Sequence, residues 1–372
     1  MKPGMVFAIL DAIAHQVNTN NAADLSICPL SKYSLRFIAA FKMSTNLSVP
    51  DPEFRLGNGL GNTLFSSRMT RILLTGASGF LGKQLVEKLK ADFELLTIGR
   101  SKGNDIAFDF SSGIYRGLGS LDCIIHAAGL AHKIPSSQSE QDEFFRVNLG
   151  ITDNLLKSLL HERTLPKSFL FISSVSVYGL MRGENISEDH PLQANDPYGK
   201  SKVEAEYLLR QWCEVHGVAL TILRLPLLAG AFPPGNLGAM INAMKNGRYF
   251  SIDGGKARKS IVMASDVAKI IPTAIDFPGV YHLTDGHHPS FFDLEGVISG
   301  QLGVSRPRNI PAFAARCIGF CGKLVDIITP GRSPITPRKV EKIISTLTFN
   351  DQKARQVLGW NPSRVIDAFR IS

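Results

Sequence analysis

The sequence predicts an α/β chain built on a doubly wound parallel sheet, with a smaller C-terminal lobe positioned to close a cleft at the carboxyl edge of its strands. Three observations carry this expectation. Short apolar runs alternate with segments of helical spacing from Met69 to Pro226. A glycine-rich turn separates the first run from the first helix. Beyond Pro226 the alternation breaks into shorter pieces rich in Pro and Gly, including 232–238, 253–255 and 330–337. Strands that alternate with helices need crossover connections, and these generate a parallel sheet covered on both faces.

In chain order, strands are expected at 71–75, 93–98, 105–110, 121–126, 168–173 and 218–223, and helices at 80–91, 142–160 and 198–216. Residues 69–225 then make the sheet domain. Residues 226–372 make the lobe, with segments returning to the sheet. Residues 1–68 show no such alternation, and 48–61 has the Pro, Gly and Asn content of a linker. The element pattern starts the fold at Met69 and leaves 1–68 as an extension of unknown role. Within it, Asp11 interrupts the apolar stretch 5–17 and argues against a secretory leader.

The 372 residues are 44% hydrophobic and 20% charged, enough for a sizeable core. A formal net charge of +9 suits anionic ligands, yet Lys and Arg are scattered, with Arg306 to Arg308 the first basic cluster. A solvated basic surface is therefore expected rather than a nucleic-acid groove. Five cysteines without metal-ligand spacing indicate reduced thiols and a cytoplasmic protein. The stretch 311–328 is interrupted by Arg316 and Lys323, so it predicts a buried or amphipathic helix and no bilayer span. His287 and His288 lack supporting metal ligands and fit a polar loop before Pro289, so no metal site is expected.

The chemistry begins at Gly76-Ala77-Ser78-Gly79-Phe80-Leu81-Gly82. Glycines between a strand and a helix let the backbone turn tightly toward a pyrophosphate, which the free N–H groups of the helix N-terminus favour. This is the signature of a Rossmann-type dinucleotide site. The second strand ends in Ile98-Gly99-Arg100 without the usual acid, so Arg100 faces the 2′ position and places NADP slightly ahead of NAD. Asp109, followed by Phe110, is placed either to accept from the adenine amino group or to form a turn. Tyr198 and Lys202 lie one helical turn apart, where an ammonium would lower the phenol's pKa and ready it for proton exchange with a carbinol or carbonyl. Ser174, ending the preceding strand, would hydrogen-bond the same oxygen.

Together these motifs resemble the extended short-chain dehydrogenase/reductase family, in its nucleotide-sugar epimerase and dehydratase branch, across about residues 69–372. The glycine turn, His126-Ala127-Ala128-Gly129 on the cofactor-lining fourth strand, Asn148 at the structural Asn, and Pro197-Tyr198-Gly199-Lys200-Ser201-Lys202 occur in the branch's order. The resemblance implies Ser174, Tyr198 and Lys202 as catalytic residues, with Lys202 also on the nicotinamide ribose. It further implies that Asn236 and Leu237 hold a nucleotide diphosphate, and that Arg258 or Lys259 binds its phosphate. Leu358-Gly359-Trp360-Asn361-Pro362 resembles the usual C-terminal ending. The 4,6-dehydratases of the branch carry Thr-Asp-Glu where this chain has Ser174-Val175-Ser176, and Val175 cannot move a proton. The expected activity is therefore hydride exchange at C4 of a nucleotide-activated hexose, UDP-linked, by 4-keto reduction or 4-epimerisation. A homodimer through 142–160 and 198–216 is implied as well. A non-catalytic dinucleotide-sensing scaffold and a membrane-associated protein resting on 311–328 are the alternatives from other classes.

Overall fold

The computed structural model of the protein describes residues 69–131, 135, 137–328 and 337–371, without the side chains of 321–328, 338 and 339. The expectations for 1–68, including the linker at 48–61, lie outside the described residues.

The chain opens with β1 (Arg71–Thr75), α1 (Phe80–Leu89), β2 (Glu94–Gly99), β3 (Ile106–Ala107) and β4 (Cys123–His126). Next come α2 (Gln138–Phe144), a π-helical segment Phe145–Leu149, α3 (Gly150–Leu159), β5 (Ser168–Ser174), β6 (Gly183–Ile186), α4 (Pro197–His216) and β7 (Ala219–Leu225). The remainder holds β8 (Leu227–Ala229), α5 (Gly235–Lys245), β9 (Ser251–Ile252), β10 (Ile261–Met263), α6 (Ala264–Ala274), β11 (Gly279–His282), α7 (Phe291–Leu302) and β12 (Asn309–Ile310). It ends with α8 (Ala312–Ile328), α9 (Pro337–Ile344), β13 (Leu347–Phe349), α10 (Gln352–Leu358) and α11 (Val365–Ala368).

Seven strands form one parallel sheet in the order β3-β2-β1-β4-β5-β7-β11. The order reverses between β1 and β4, which opens a crevice beyond their carboxyl ends. Apolar residues fill the strands because both faces are covered. Ile72 and Leu74 of β1 join the cluster under α1 and α6, with Leu85 and Ile271. Leu73 between them points into the opposite cluster, with Leu155 of α3 and Leu209 of α4. A third cluster, with Leu237, Met240, Ile261, Leu294 and Phe369, lies entirely in residues beyond Pro226. From the same stretch, β11 and α6 return to the sheet.

Local chemistry sets the element ends. Asp196 caps α4 by accepting the Gly199 N–H at 3.0 Å, Pro197 occupies its first turn, and Gly217 ends it at φ 66°. Ser290 and Asp293 form a reciprocal capping box on α7. Gly359 ends α10 in the left-handed region, and Trp360 turns back to donate its indole N–H to the Thr284 carbonyl at 2.9 Å.

Two expected elements differ. The helix predicted over 142–160 is interrupted by the π-helical turn Phe145–Leu149, which directs the Asn148 side chain inward. The strand predicted over 105–110 shrinks to Ile106–Ala107, because Asp105 is drawn to the N–H and hydroxyl of Thr97 while Asp109 starts a turn.

Beneath the sheet's carboxyl edge lies a buried ion pair. The Arg224 guanidinium of β7 grips the Glu206 carboxylate of α4 at 2.7 and 3.1 Å, and Glu206 also accepts from the Ser173 hydroxyl at 2.6 Å. Arg224 donates further to the Tyr178 hydroxyl and the Glu188 carbonyl, both at 2.8 Å. His282 Nδ1 faces the Asn350 carbonyl, so that nitrogen carries the proton, and the Tyr178 hydroxyl donates to Nε2 at 2.6 Å. Burial pushes the His282 pKa down to about 4, consistent with a neutral ring.

Removing one partner of such a pair strands a charge in the interior. Glu206→Gln is expected to destabilise the chain by roughly 3–5 kcal/mol, with a paired Glu206→Leu/Arg224→Met change costing less than Glu206→Gln alone. Urea unfolding midpoints of the two variants check this ranking.

Candidate active site

The crevice between β1 and β4 is shaped by glycines. Gly76 turns at φ 78°, and a Cβ there would stand 2.6 Å from the Ala127 carbonyl carbon and the Ala128 nitrogen. A Cβ on Gly82 would collide with the Gly76 carbonyl, so α1 starts directly against the turn. Gly79 caps α1 through its backbone, with its N–H on the Gly76 carbonyl at 3.0 Å. The backbone of Ala77, Ser78, Phe80 and Leu81 completes an α1 N-terminus that has no side-chain cap, leaving its N–H groups for an anion. The side chains of Ala77 and Leu81 belong to the core.

A hydrogen-bonded chain holds the β4 side of the crevice. Thr152 donates to the Asn148 carbonyl at 2.7 Å, so its oxygen accepts from His126 Nε2 at 2.9 Å. The other ring nitrogen, Nδ1, then accepts from the Thr75 hydroxyl at 2.7 Å, and Thr75 accepts from the Ala128 N–H at 3.1 Å. Burial, reinforced by the Lys202 charge, pushes the His126 pKa down to about 3 and keeps the ring neutral. His126 therefore positions Ala127 and Ala128 without turning its own ring toward a ligand. Asn148 clamps the next loop, accepting from the Leu130 N–H at 2.6 Å and donating to the Leu130 carbonyl and the Ser201 hydroxyl.

On the adenosine side, Arg100 follows β2, is exposed, and has no hydrogen bond or ion pair among the described residues. Asp109 takes the Ser111 N–H at 2.8 Å, which is the turn-forming reading of that residue. The Phe110 side chain is buried in the second core cluster, and its carbonyl accepts from the Asn154 side-chain amide at 2.6 Å.

The three expected catalytic residues come together from β5 and α4. Ser174 caps the short turn Val175–Tyr178, accepting the Ser176 N–H and donating to the Ser176 hydroxyl, each at 3.2 Å, and it lies near enough to the Tyr198 phenol to pull its pKa down. Lys202 is buried, with its ammonium on the Ile172 carbonyl at 2.9 Å and 4.6 Å from the centre of the Phe171 ring. Burial pushes its pKa down to about 8, partly offset by the carboxylate of Glu206. One expectation is corrected here. The Tyr198 pKa is raised, because burial outweighs the pull of Ser174 and Lys202 is anchored on β5 instead of on the phenol. A Cβ on Gly129 would stand 3.3 Å from the Lys202 ammonium, so the glycine keeps the approach to that charge open.

The expected diphosphate residues divide. Asn236 is exposed at the start of α5, whereas the Leu237 side chain packs in the third cluster, leaving its backbone amide for a ligand. Arg258 spends its guanidinium on the carbonyls of His287 and His288. Lys259 points the other way, to the Ser345 carbonyl at 2.7 Å, and its pKa is pushed down to about 8 by burial and by the nearby Lys342 charge. Leu347, bridged to Lys259, packs on the cluster of Val177 and Tyr178, the turn that carries Ser174. Lys342 and the Glu206–Arg224 pair escaped the sequence reading, because their partners lie too far along the chain for any spacing to reveal. A separate cavity of about 680 Å³, lined by Asp285, His287, His288, Asp351, Arg355 and Arg364 among others, contains none of Ser174, Tyr198 and Lys202. Among the described residues, no group of His, Cys, Asp and Glu is arranged to hold a metal ion.

Glycine crevice, clamped fourth strand and Ser-Tyr-Lys cluster are thus assembled at one sheet edge, and residues 72–282 match the NAD dependent epimerase/dehydratase family. The chain belongs to that family. It is an enzyme with a Rossmann-type fold, and its crevice fits a nicotinamide dinucleotide. It is 26% identical over 295 residues to the N-acetyl-alpha-D-glucosaminyl-diphospho-ditrans,octacis-undecaprenol 4-epimerase of Escherichia coli O157:H7, covering 76% of this chain and 88% of that one. It is 31% identical over 313 residues to the UDP-glucose 4-epimerase of Azospirillum brasilense, covering 78% and 87%. The UDP-glucuronic acid 4-epimerase of Bacillus cereus, solved with UDP-glucuronic acid and NAD, superposes with TM-score 0.61 at 18% identity over 80% of this chain and 95% of that one.

Gly76→Ala must push the turn away from β4. The expected result is dinucleotide affinity at least about tenfold weaker with the helical content retained, checked by fluorescence titration of NAD and NADPH beside circular dichroism.

Proposed function

We propose that this enzyme exchanges hydride at C4 of a hexose carried on a diphosphate, with Tyr198 handling the proton of the C4 oxygen. The observation that carries the reading is the grouping of the Ser174 hydroxyl and the Tyr198 phenol with a buried Lys202 at the mouth of the glycine crevice. A bound nicotinamide supplies or accepts the hydride. Ser174 orients the C4 oxygen, and Tyr198 gives it a proton when the keto form is reduced or takes one when the alcohol is oxidised. The Gly76 turn and the α1 N-terminus hold the pyrophosphate, and Lys202 holds the nicotinamide ribose. Val175 offers no acid or base for water elimination, so 4,6-dehydration is not part of the reading.

Two outcomes share this chemistry. In 4-epimerisation, which the names of the relatives favour, C4 is oxidised, the keto sugar turns over, and hydride returns to the opposite face. In 4-keto reduction, NADPH is consumed. The unpaired Arg100 favours a 2′-phosphate, so we favour reduction with NADPH. Asn236, the Leu237 amide and Lys259 with Lys342 would hold the diphosphate. A UDP-sugar fits this description, as does the polyprenol-linked sugar diphosphate named for the E. coli relative. The exposed apolar residues Tyr207 and Val215 of α4, with Leu160 at the end of α3, suit a homodimer through those helices. Free, buried Cys123 and Cys213 accord with a reducing, cytoplasmic setting.

Incubation with UDP-hexoses and 4-keto UDP-sugars, following NADPH absorbance and product stereochemistry, separates the outcomes: cofactor consumption means reduction, isomer exchange without consumption means epimerisation. Tyr198→Phe is expected to bind the dinucleotide normally and to lose at least about a hundredfold in turnover. Full turnover in this variant would remove Tyr198 from the mechanism.

Lys259 is charged below its pKa of about 8, and only the charged form attracts a diphosphate. UDP affinity should therefore decline as pH rises through about 8. In Lys259→Met the affinity should be roughly tenfold weaker at neutral pH, with that decline abolished, as calorimetric titration across pH would reveal.

A further inference from the structure

We propose that this enzyme docks on anionic membrane surfaces through the outer face of α8 and the basic, aromatic segments beside it. Helix α8 packs against α9 through Ala315 and Gly319; a Cβ on Gly319 would stand 3.1 Å from Val340 and 3.3 Å from Pro337. That contact uses one side only. Phe313, Cys317 and Phe320 recur at helical spacing on the other side, and all three are exposed, Phe313 at 77% and Phe320 at 64%, while Arg316 at the edge reaches Glu341 of α9 at 3.7 Å. A helix that lays two phenylalanines two turns apart into solvent has an unpartnered apolar face, unlike a scatter of single exposed residues.

The segments around β12, which directly precedes α8, carry further rings and cations. Strand β12, just before α8, pairs with β9, and the Ser251 N–H donates to the Arg308 carbonyl at 3.0 Å, which sets exposed Phe250 next to Arg308. The Arg306 guanidinium lies 4.1 Å from the ring centre of half-exposed Phe292. Lys245, Arg248, Arg306 and Arg308 are exposed and make no ion pair among the described residues. The neighbouring acids are already engaged: Glu295 is buried, accepts from the Tyr249 hydroxyl and lies in the field of Arg306, Asp253 faces Lys256, and Glu341 faces Arg316.

Aromatic rings that project between unpaired cations match the interface of an anionic bilayer, where rings enter the headgroup boundary and cations meet lipid phosphates. A second copy of this chain would oppose the same cations to one another. Helix α8 does not need to cross the membrane, and no described helix is long and apolar enough to do so.

The test is co-sedimentation of the full chain with phosphatidylcholine vesicles, with and without phosphatidylglycerol, which reads binding and is independent of the C4 chemistry. Binding is expected only with phosphatidylglycerol and should fade as salt rises. Phe313→Glu/Phe320→Glu should weaken it at least roughly tenfold. Arg306→Gln/Arg308→Gln should weaken it about fivefold per arginine. Unchanged thermal unfolding and NADPH binding would show that both variants are folded. Failure to sediment, equal binding to neutral vesicles, or folded variants that bind like the parent would overturn the proposal. A Phe313→Glu/Phe320→Glu chain that changes from dimer to monomer would also overturn it, assigning the face to a second copy.

Discussion

The carboxyl ends of β1 and β4 approach each other so closely at Gly76 that no side chain fits between them, and the rest of the site is arranged around that contact. The constraint is steric at the glycine and polar just behind it. Thr75 and His126 are register partners on the two strands, and their side chains are joined by a hydrogen bond at 2.7 Å. Because every donor in the chain from Ala128 through Thr75, His126 and Thr152 to the Asn148 carbonyl has one acceptor, the direction of each bond is fixed. A neutral His126 is required for this order. A protonated ring would present two donors, and Thr75 could then no longer donate to it. Burial, by disfavouring the charged ring, keeps the crevice in one geometry.

The same logic operates one strand further along with charges in place of neutral groups. Lys202 holds a buried ammonium beside the crevice, and water does not compensate it. The Ile172 carbonyl, the Phe171 ring and the field of Glu206 do so in part, which leaves its pKa low yet near neutrality. Glu206 in turn is held by Arg224 and Ser173, and Arg224 by Tyr178 and the Glu188 carbonyl. The network runs from α4 through β5 and β7 to β11, so the helix that carries Tyr198 and Lys202 is tied to the sheet by polar groups as well as by Leu209 and Cys213. Such an arrangement costs desolvation and gives position in return.

The sheet was legible in the sequence because its strands are buried on both faces and therefore read as continuous apolar runs, set apart by segments of helical spacing. The glycine turn and the Tyr198–Lys202 spacing were legible because each is local. What escaped was set by residues far apart in the chain. Nothing near Asn148 announces that its side chain will clamp Leu130 and Ser201, so the π-helical turn that points it inward read as uninterrupted helix. Asp105 has the look of a strand opening until its bond to Thr97 on the neighbouring strand is seen. The sign of the Tyr198 shift failed similarly, since spacing fixes where Lys202 leaves the helix but not that Ile172 receives its ammonium.

Charge ties these levels together. The chain carries a formal net charge of +9, and its cations fall into environments with different consequences. Lys202 is buried and Lys259 half-buried, with pKa values pushed down to about 8, so each has a penalty that a bound anion or electron-rich group would relieve. Ligand binding and protonation are therefore coupled at both positions, and each favours the other. Arg306 and Arg308 are exposed and already solvated, so an anion there gains only screened attraction, and affinity must come from the neighbouring rings. Under the proposed function and docking, depth separates cations that would recognise one molecule through its geometry from cations that would recognise a surface through its charge density. The sequence shows both kinds alike, as scattered basic residues, and burial alone distinguishes them.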